Sequence, residues 1–503
     1  MKKLLSLLLI CLFLSSSFSI EAKTKKLAKT SPSKKTKAPP TKVSKKIQAP
    51  VEKNTSQTLE EMIAELGSDS KEVDVGLYIF DLQTGKVIAS KNADKLFNPA
   101  SNTKILTTWT ALKLLGPNFR FNTQLFGIYE KGSHTLSKLI LKGMGDPTFS
   151  SEKLMAMISE LKSKGITRVE QVILDDSFFD GEEFPGQMEG RQKDALFNTS
   201  VSALSIDHNY LEVQVSPSDK MGSTATVELI PPLPSFPIEN LSRTQKKGGR
   251  LILKNTPEEG EKLKISLSGS IALKGAPQTF KISVHAPLEL TGLRIIESLR
   301  SNGILSPEEA KRGTPPKESK LLAENSSAPL SEIIQEINKN SDNFMAEQLT
   351  KVIGARFVGV PGSTQKGVRM ILKELESAGI SIKGLVLENG SGLSKENRVR
   401  PKTLTDLLQK AYEDSTASVW IPSLSVLGLD GTLRHKFRHS DIAGRFVGKT
   451  GTLNGVSSLS GYAFSKENGR KPYLFAFIVN GKGKAFWENK QSAQNILEKL
   501  LEE

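Results

Sequence analysis

The chain has 503 residues, 37% hydrophobic and 24% charged, an ordinary globular balance at a length that exceeds what one hydrophobic core usually supports. Its formal charge of +15 would suggest nucleic acid if it were spread over a folded surface. Eleven lysines against the single acid Glu52 lie between Lys23 and Lys53, however, so the rest of the chain is mildly basic and no nucleic-acid partner is expected.

At the start, Lys2 and Lys3 precede an apolar run over residues 4–14, then three serines and a small-residue cut at Ala22. Residues 1–22 read as a secretory signal peptide. The run is too short to span a bilayer, and no later stretch approaches the roughly 20 apolar residues that spanning needs. An exported, periplasmic or otherwise extracytoplasmic protein is expected, soluble after removal of this segment. Cys11 is the sole cysteine and follows Leu9 and Ile10 instead of a small residue, which argues against lipid anchoring. Its loss with the signal peptide removes disulfides, thiolate nucleophiles and Cys-ligated zinc from consideration. Residues 23–55, rich in Lys, Pro, Ser and Thr without apolar periodicity, read as a basic disordered linker. It is either a solvated spacer or an electrostatic contact with anionic envelope components.

The folded part begins with a short helix near residues 59–66. A β-hairpin follows, with strands at 75–80 and 87–90 around the turn at 81–86. Asn98-Pro99-Ala100 breaks the chain ahead of a helix started by Ser101, in which Ile105, Leu106, Trp109, Leu112 and Leu115 recur at helical spacing. Residues 119–285 carry many short strand candidates: 123–129, 136–141, 169–174, 210–215, 225–230, 251–253, 263–267 and 280–284. One helix, 151–164, interrupts them, and turn-rich stretches at 231–234 and 246–249 suggest two small β-rich modules. Helices dominate again at 288–302, 330–338, 343–353, 364–378 and 404–411. Strands at 446–450, 456–463 and 473–479 and a helix at 485–501 close the chain. The expected fold is α+β. Residues 56–118 and 286–503 form one domain, an antiparallel sheet flanked by helices, and residues 119–285 are a β-rich insertion.

Three clusters carry chemistry. Ser101-Asn102-Thr103-Lys104 puts a hydroxyl and an amine three residues apart at a helix start, on one face, where the dipole favours an oxyanion. Alone it is equally an N-cap serine followed by an exposed lysine. Ser341-Asp342-Asn343 precedes Phe344, Met345, Leu349 and Val352, and reads either as a polar N-cap or as a hydroxyl and an amide that handle a leaving amine and a peptide carbonyl. Lys449-Thr450-Gly451-Thr452 ends a strand with a cation, hydroxyls and a glycine that lets a substrate backbone approach. In this order the three match the Ser-x-x-Lys, Ser-x-Asn and Lys-Thr-Gly set of penicillin-binding proteins and class A β-lactamases. The 240 residues between Ser101 and Ser341, and the lack of Glu-x-x-x-Asn after Ser341, disfavour a β-lactamase.

With its long insertion after the nucleophile helix, the chain resembles the D-alanyl-D-alanine carboxypeptidase/endopeptidase family, the class C low-molecular-mass penicillin-binding proteins. Secondary motifs extend the resemblance: Gly145-Asp146-Pro147, Asp175-Asp176-Ser177, Pro185-Gly186, Ser202-Ala203-Leu204-Ser205, Gly390-Ser391-Gly392-Leu393-Ser394 and Gly431-Thr432-Leu433-Arg434. One departure is Gln187, where relatives often have tryptophan and then an acidic pair, with Asp194 as the remnant. The resemblance implies a penicillin-binding/transpeptidase-like fold and a serine D,D-peptidase acting on peptidoglycan stem peptides, with β-lactams as covalent inhibitors and no cofactor or metal. It implies Ser101 as nucleophile, Lys104 as base, Ser341 and Lys449 as proton donors to the leaving amine, and Asn343 as the group orienting the acyl chain. Thr450, Gly451 and Thr452 would bind substrate. Rival readings are a Ser-His-Asp hydrolase using Asp207-His208, without a Gly-x-Ser-x-Gly elbow, a metal held by His435 and His439, and a wall-binding protein without turnover.

Overall fold

The computed structural model describes residues 57–67, 72–184, 200–256, 263–436, 440–467 and 469–502. The signal peptide, the basic linker, Pro185-Gly186, Gln187, Asp194 and His439 lie outside them.

One six-stranded antiparallel sheet joins the two ends of the chain. Its order is Ser425–Val426, Phe446–Leu453, Val456–Ala463, Tyr473–Gly481, Val73–Asp81 and Lys86–Lys91. The strand Tyr473–Gly481 is apolar over most of its length because both faces are covered. Leu474, Ala476 and Ile478 enter one hydrophobic cluster, with Trp109, Leu408 and Tyr462. Phe475, Phe477 and Val479 enter another, under Leu59 and the helix Gly483–Glu502. Alternation by one residue thus decides which layer each side chain stabilises.

The helices over the first face carry the chemistry. Thr103–Leu115 runs through the middle of this layer, packed against Leu330–Asn340 and Asn343–Phe357. In Leu330–Asn340 the buried positions Leu330, Ile333, Ile334 and Ile337 follow the helical repeat and anchor it in the core. The sheet edge matters as much. Ser425–Val426 pairs with Val447 and Gly448 alone, so among the described residues no strand covers the outer side of Lys449–Leu453. An open edge of this kind presents backbone groups to an incoming extended chain.

The insertion is larger than the sequence reading placed it. Its main sheet runs Ala310–Arg312, Val172–Asp175, Thr135–Gly143, Asn122–Tyr129 and Lys320–Ser326, with Arg168–Val169 paired at the side. Three smaller sheets occupy 210–283. Two strands of this sheet, Ala310–Arg312 and Lys320–Ser326, thus lie beyond residue 285. Leu290, Ile295, Ile296 and Leu299 of the helix Pro287–Ser301 lie in the insertion's own hydrophobic cluster, which also runs continuously through the smaller sheets. The two closing strands escaped notice because Ala310-Lys311-Arg312 is short and charged, and because their partners lie far away in sequence.

Three contacts fasten the insertion to the helix Asn343–Phe357. Gln348 Nε2 donates to the Ser202 carbonyl at 2.9 Å, the fully buried Lys351 pairs with Asp180 Oδ1 at 2.7 Å, and Phe178 and Phe179 enter the helical layer's cluster. The cation of Lys351 also faces the Phe179 ring.

If Pro287–Ser301 is part of the insertion's core, Leu290→Ala should destabilise the protein by about 2–5 kcal/mol, as truncation of a fully buried leucine does. Urea unfolding followed by fluorescence checks this, and an unchanged midpoint would contradict the packing described.

Candidate active site

Ser101 sits in a strained turn. Residues Ala100–Asn102 form one turn of 3₁₀ helix that leads into Thr103–Leu115, and Ala100 has φ 46°, in the left-handed region that non-glycine residues rarely adopt. Such a conformation costs roughly 1–2 kcal/mol and persists where the surroundings over-determine it. Here they do. Asn98 Oδ1 accepts from the Ala100 N–H at 2.8 Å, and the Asn98 amide donates to the carbonyls of Ser394 and Lys395. The Ser458 hydroxyl donates to the Pro99 carbonyl at 2.6 Å, and Asn102 is held between Ser458 and Ser460.

Two glycines make room for this turn. A Cβ on Gly451 would lie 2.6 Å from the Pro99 oxygen and 3.0 Å from the Ser101 nitrogen, and one on Gly392 would lie 2.0 Å from the Ala100 oxygen. Gly392 also has φ 87°. Glycine at both positions is thus dictated by how closely the sheet edge and the 389–394 loop approach the serine.

Lys104 lies one turn beyond Ser101 and is fully buried. Its Nζ is 3.1 Å from Ser101 Oγ, 2.6 Å from Asn343 Oδ1 and 2.6 Å from the Ser391 carbonyl oxygen. Burial pushes its pKa down to about 7, against the opposing charges of Glu347 and Asp342. The neutral amine carries two N–H groups and one lone pair. With the N–H groups on Asn343 and Ser391, the lone pair is left for the Ser101 hydroxyl proton.

Lys449 is equally buried, and its Nζ donates to Ser341 Oγ at 2.8 Å and to the Thr450 carbonyl at 3.0 Å. Its pKa falls well below the ordinary lysine value, first through burial and then through the charge of Lys104. An anion entering beside it would restore its proton affinity. Ser341 has φ 59° and ends the helix Leu330–Asn340, while Asp342 caps the next helix by accepting from the Met345 N–H. The N-cap and functional readings of this cluster are therefore compatible, because capping falls to Asp342 and frees its neighbours.

Ser101, Lys104, Ser341, Asn343 and Lys449 thus converge, as the sequence reading required. Ser101, Ser341, Asn343 and Thr452 line a cleft of about 740 Å³ with Asn98, Leu393, Lys395, Arg398 and Asn480. Gly451 lies against the serine turn, and Thr450 Oγ1 donates to Thr432 Oγ1 at 2.8 Å. Ser391 and Thr432 belong to the secondary motifs Gly390-Ser391-Gly392-Leu393-Ser394 and Gly431-Thr432-Leu433-Arg434. Asn98 and Glu347 gave no sequence signal, since a lone Asn or Glu has no spacing to read. Asp207 accepts from the Ser151 N–H, and the His208 ring packs on Tyr210 and Phe344.

A model of the D-Ala-D-Ala carboxypeptidase 3 (S13) family matches residues 55–501. The chain belongs to that family. It is a serine-type D-Ala-D-Ala peptidase, and the expectation of a serine D,D-peptidase is met. Among characterised proteins it is 32% identical to a D-alanyl-D-alanine carboxypeptidase of Actinomadura sp. (strain R39), over 81% of this chain and 77% of that one. It is 25% identical to D-alanyl-D-alanine carboxypeptidase DacB of Haemophilus influenzae, over 83% and 87% of the two chains. The crystal structure of penicillin-binding protein 4 from Haemophilus influenzae superposes with a TM-score of 0.73 at 23% identity, covering 88% of this chain and 98% of that one. The expected penicillin-binding/transpeptidase-like α+β fold is the fold observed.

Two outcomes follow for an S13 peptidase with this geometry. If Lys104, with its pKa near 7, takes the Ser101 proton, acylation of the protein by a fluorescent penicillin should be lost as pH falls through about 7 and complete above it, because a protonated amine cannot accept that proton. A rate that is flat from about pH 6 to 8 would contradict this. Gly451→Val should lower the acylation rate by about 100-fold, since the added side chain displaces the serine turn. Stopped-flow labelling measures both.

Proposed function

We propose that Ser101 is the nucleophile of this D,D-peptidase and that Lys104 is its general base. The observation that carries the reading is a fully buried lysine amine 3.1 Å from Ser101 Oγ, with its two other contacts to acceptors. Lys104 takes the hydroxyl proton as Oγ attacks the carbonyl carbon of the penultimate D-alanine. The N–H groups of Ser101 and Thr452 stabilise the resulting oxyanion at the helix start. As the C–N bond breaks, Ser341 passes a proton to the departing amine and is resupplied through Lys449, which it contacts at 2.8 Å. Asn343 orients the acyl chain, and Thr450, Gly451 and Thr452 line the edge strand on which the peptide and its terminal carboxylate lie. The proton that Lys104 took up replaces the one lost from Lys449, and the neutral Lys104 amine then takes a proton from the water that attacks the ester carbonyl and returns it to Ser101 Oγ as the ester bond breaks. A β-lactam follows the first half of this path and remains as the acyl group on Ser101.

Removal of a terminal D-alanine and cleavage of a D-alanyl cross-link both present a D-alanyl carbonyl to Ser101, so one cleft serves both reactions on peptidoglycan stem peptides. Residues 1–22 direct export to a periplasmic or other extracytoplasmic site. The Lys-rich segment 23–55 is a solvated spacer or an electrostatic contact with anionic envelope components.

Ser101→Ala should abolish covalent labelling by fluorescent penicillin and D-alanine release from a pentapeptide, and undiminished labelling would overturn the assignment. Lys104→Ala should reduce acylation by about 10²–10⁴-fold, the usual contribution of a positioned base.

A further inference from the structure

Glu347 is a buried acid that the mechanism above does not use. It lies one helical turn after Asn343 and is 4% exposed. Its Oε1 accepts from the Ser391 N–H at 2.8 Å and its Oε2 from the Gly390 N–H at 3.3 Å. With both oxygens facing N–H donors, the site fits the carboxylate, since the acid form would turn an O–H toward a donor. Burial raises its pKa above the ordinary carboxylate value, and the bonds from Ser391 and Gly390 and the charge of Lys104 only partly offset this.

The loop gripped in this way carries one of the two acceptors that orient Lys104. The Ser391 N–H is on Glu347, and the Ser391 carbonyl is on Lys104 Nζ. The other acceptor, Asn343 Oδ1, comes from the same helix, one turn earlier. The loop lies so close to the helix that a Cβ on Gly390 would meet Thr350 Oγ1 at 1.8 Å. The charged groups facing Lys104 are Glu347 and Asp342 from this helix and Lys449 from the edge strand. The 389–392 loop contributes a carbonyl and no charge.

We propose that Glu347 is a positioning residue with two separable effects: it fixes the Ser391 carbonyl against Lys104, and its negative charge sets the pH at which Ser101 becomes reactive. The proposal rests on Lys104 being the base for Ser101. A negative charge beside Lys104 favours its protonated form, so removing that charge moves the onset of reactivity to lower pH. Shortening the side chain while keeping the charge weakens the grip on the loop and leaves the onset near its wild-type position.

The test is the pH profile of acylation by fluorescent penicillin in the full-length protein, for wild type, Glu347→Gln and Glu347→Asp, with thermal unfolding of each. Glu347→Gln should shift the acidic limb down by about one pH unit and lower the plateau rate. Glu347→Asp should lower the plateau by about tenfold with the limb unmoved. Profiles identical to wild type, or a lowered plateau in Glu347→Gln with an unmoved limb, would overturn the proposal. So would failure of both variants to fold, which would make Glu347 a structural support and nothing more. Loss of labelling in Ser101→Ala together with an unmoved limb in Glu347→Gln would retain Ser101 as nucleophile and reject the role of Glu347.

Discussion

The structure turns on keeping one lysine amine dry. A lysine in water is protonated at neutral pH, so the proposed role of Lys104 as a base requires desolvation, and desolvation is costly unless every N–H finds an acceptor. Full burial at the centre of the helical layer supplies the first condition. Asn343 and Ser391 supply the second, each at 2.6 Å. They belong to different segments, a helix and a loop, and Glu347 ties the two together. Much of the packing around residues 98–115, 341–351 and 389–394 follows from these requirements.

The same constraint accounts for the crowding around Ser101. If Lys104 is buried, its neighbour three residues earlier must still reach the cleft, and the chain achieves this by forcing Ala100 into the left-handed region. That strain is held by Asn98 from below, by Ser458 from the sheet, and by two glycines through which the backbone is approached. The Gly of the Lys-Thr-Gly strand thus has a steric meaning that its sequence does not state. It gives up a side chain so that the sheet edge can lie against the serine turn, while Lys449 on the same strand reaches Ser341.

The legible parts of the sequence were those with local periodicity or fixed spacing. The central strands and helices announce themselves through apolar patterns, and the three catalytic clusters through their internal spacing and order. What escaped were features created by long-range pairing. The strand Ala310–Arg312 is short and charged, Lys320–Ser326 buries only the neighbours Leu322 and Ala323 without alternation, and both pair with the edges of Val172–Asp175 and Asn122–Tyr129. Glu347 likewise looked like any acid on a helix, because its meaning comes from two N–H groups 43 and 44 residues away. A buried polar residue on an otherwise apolar helical face is the nearest thing to a signal for it.

The helix Asn343–Phe357 joins these themes. Its inward polar residues recur at helical spacing: the half-buried Asn343 meets Lys104, the buried Glu347 holds the 389–392 loop, and the buried Lys351 pairs with Asp180 of the insertion. Gln348 adds a bond to Ser202. Asn343, Glu347, Gln348 and Lys351 each bond a different segment, so the helix acts as a rail that sets the insertion and the loop in register with Lys104. Lys351, Glu347 and Asn343 stand on one continuous helix, so the insertion contact and the Lys104 contact share one rigid element. Interiors packed to crystal-like density transmit displacements with little damping.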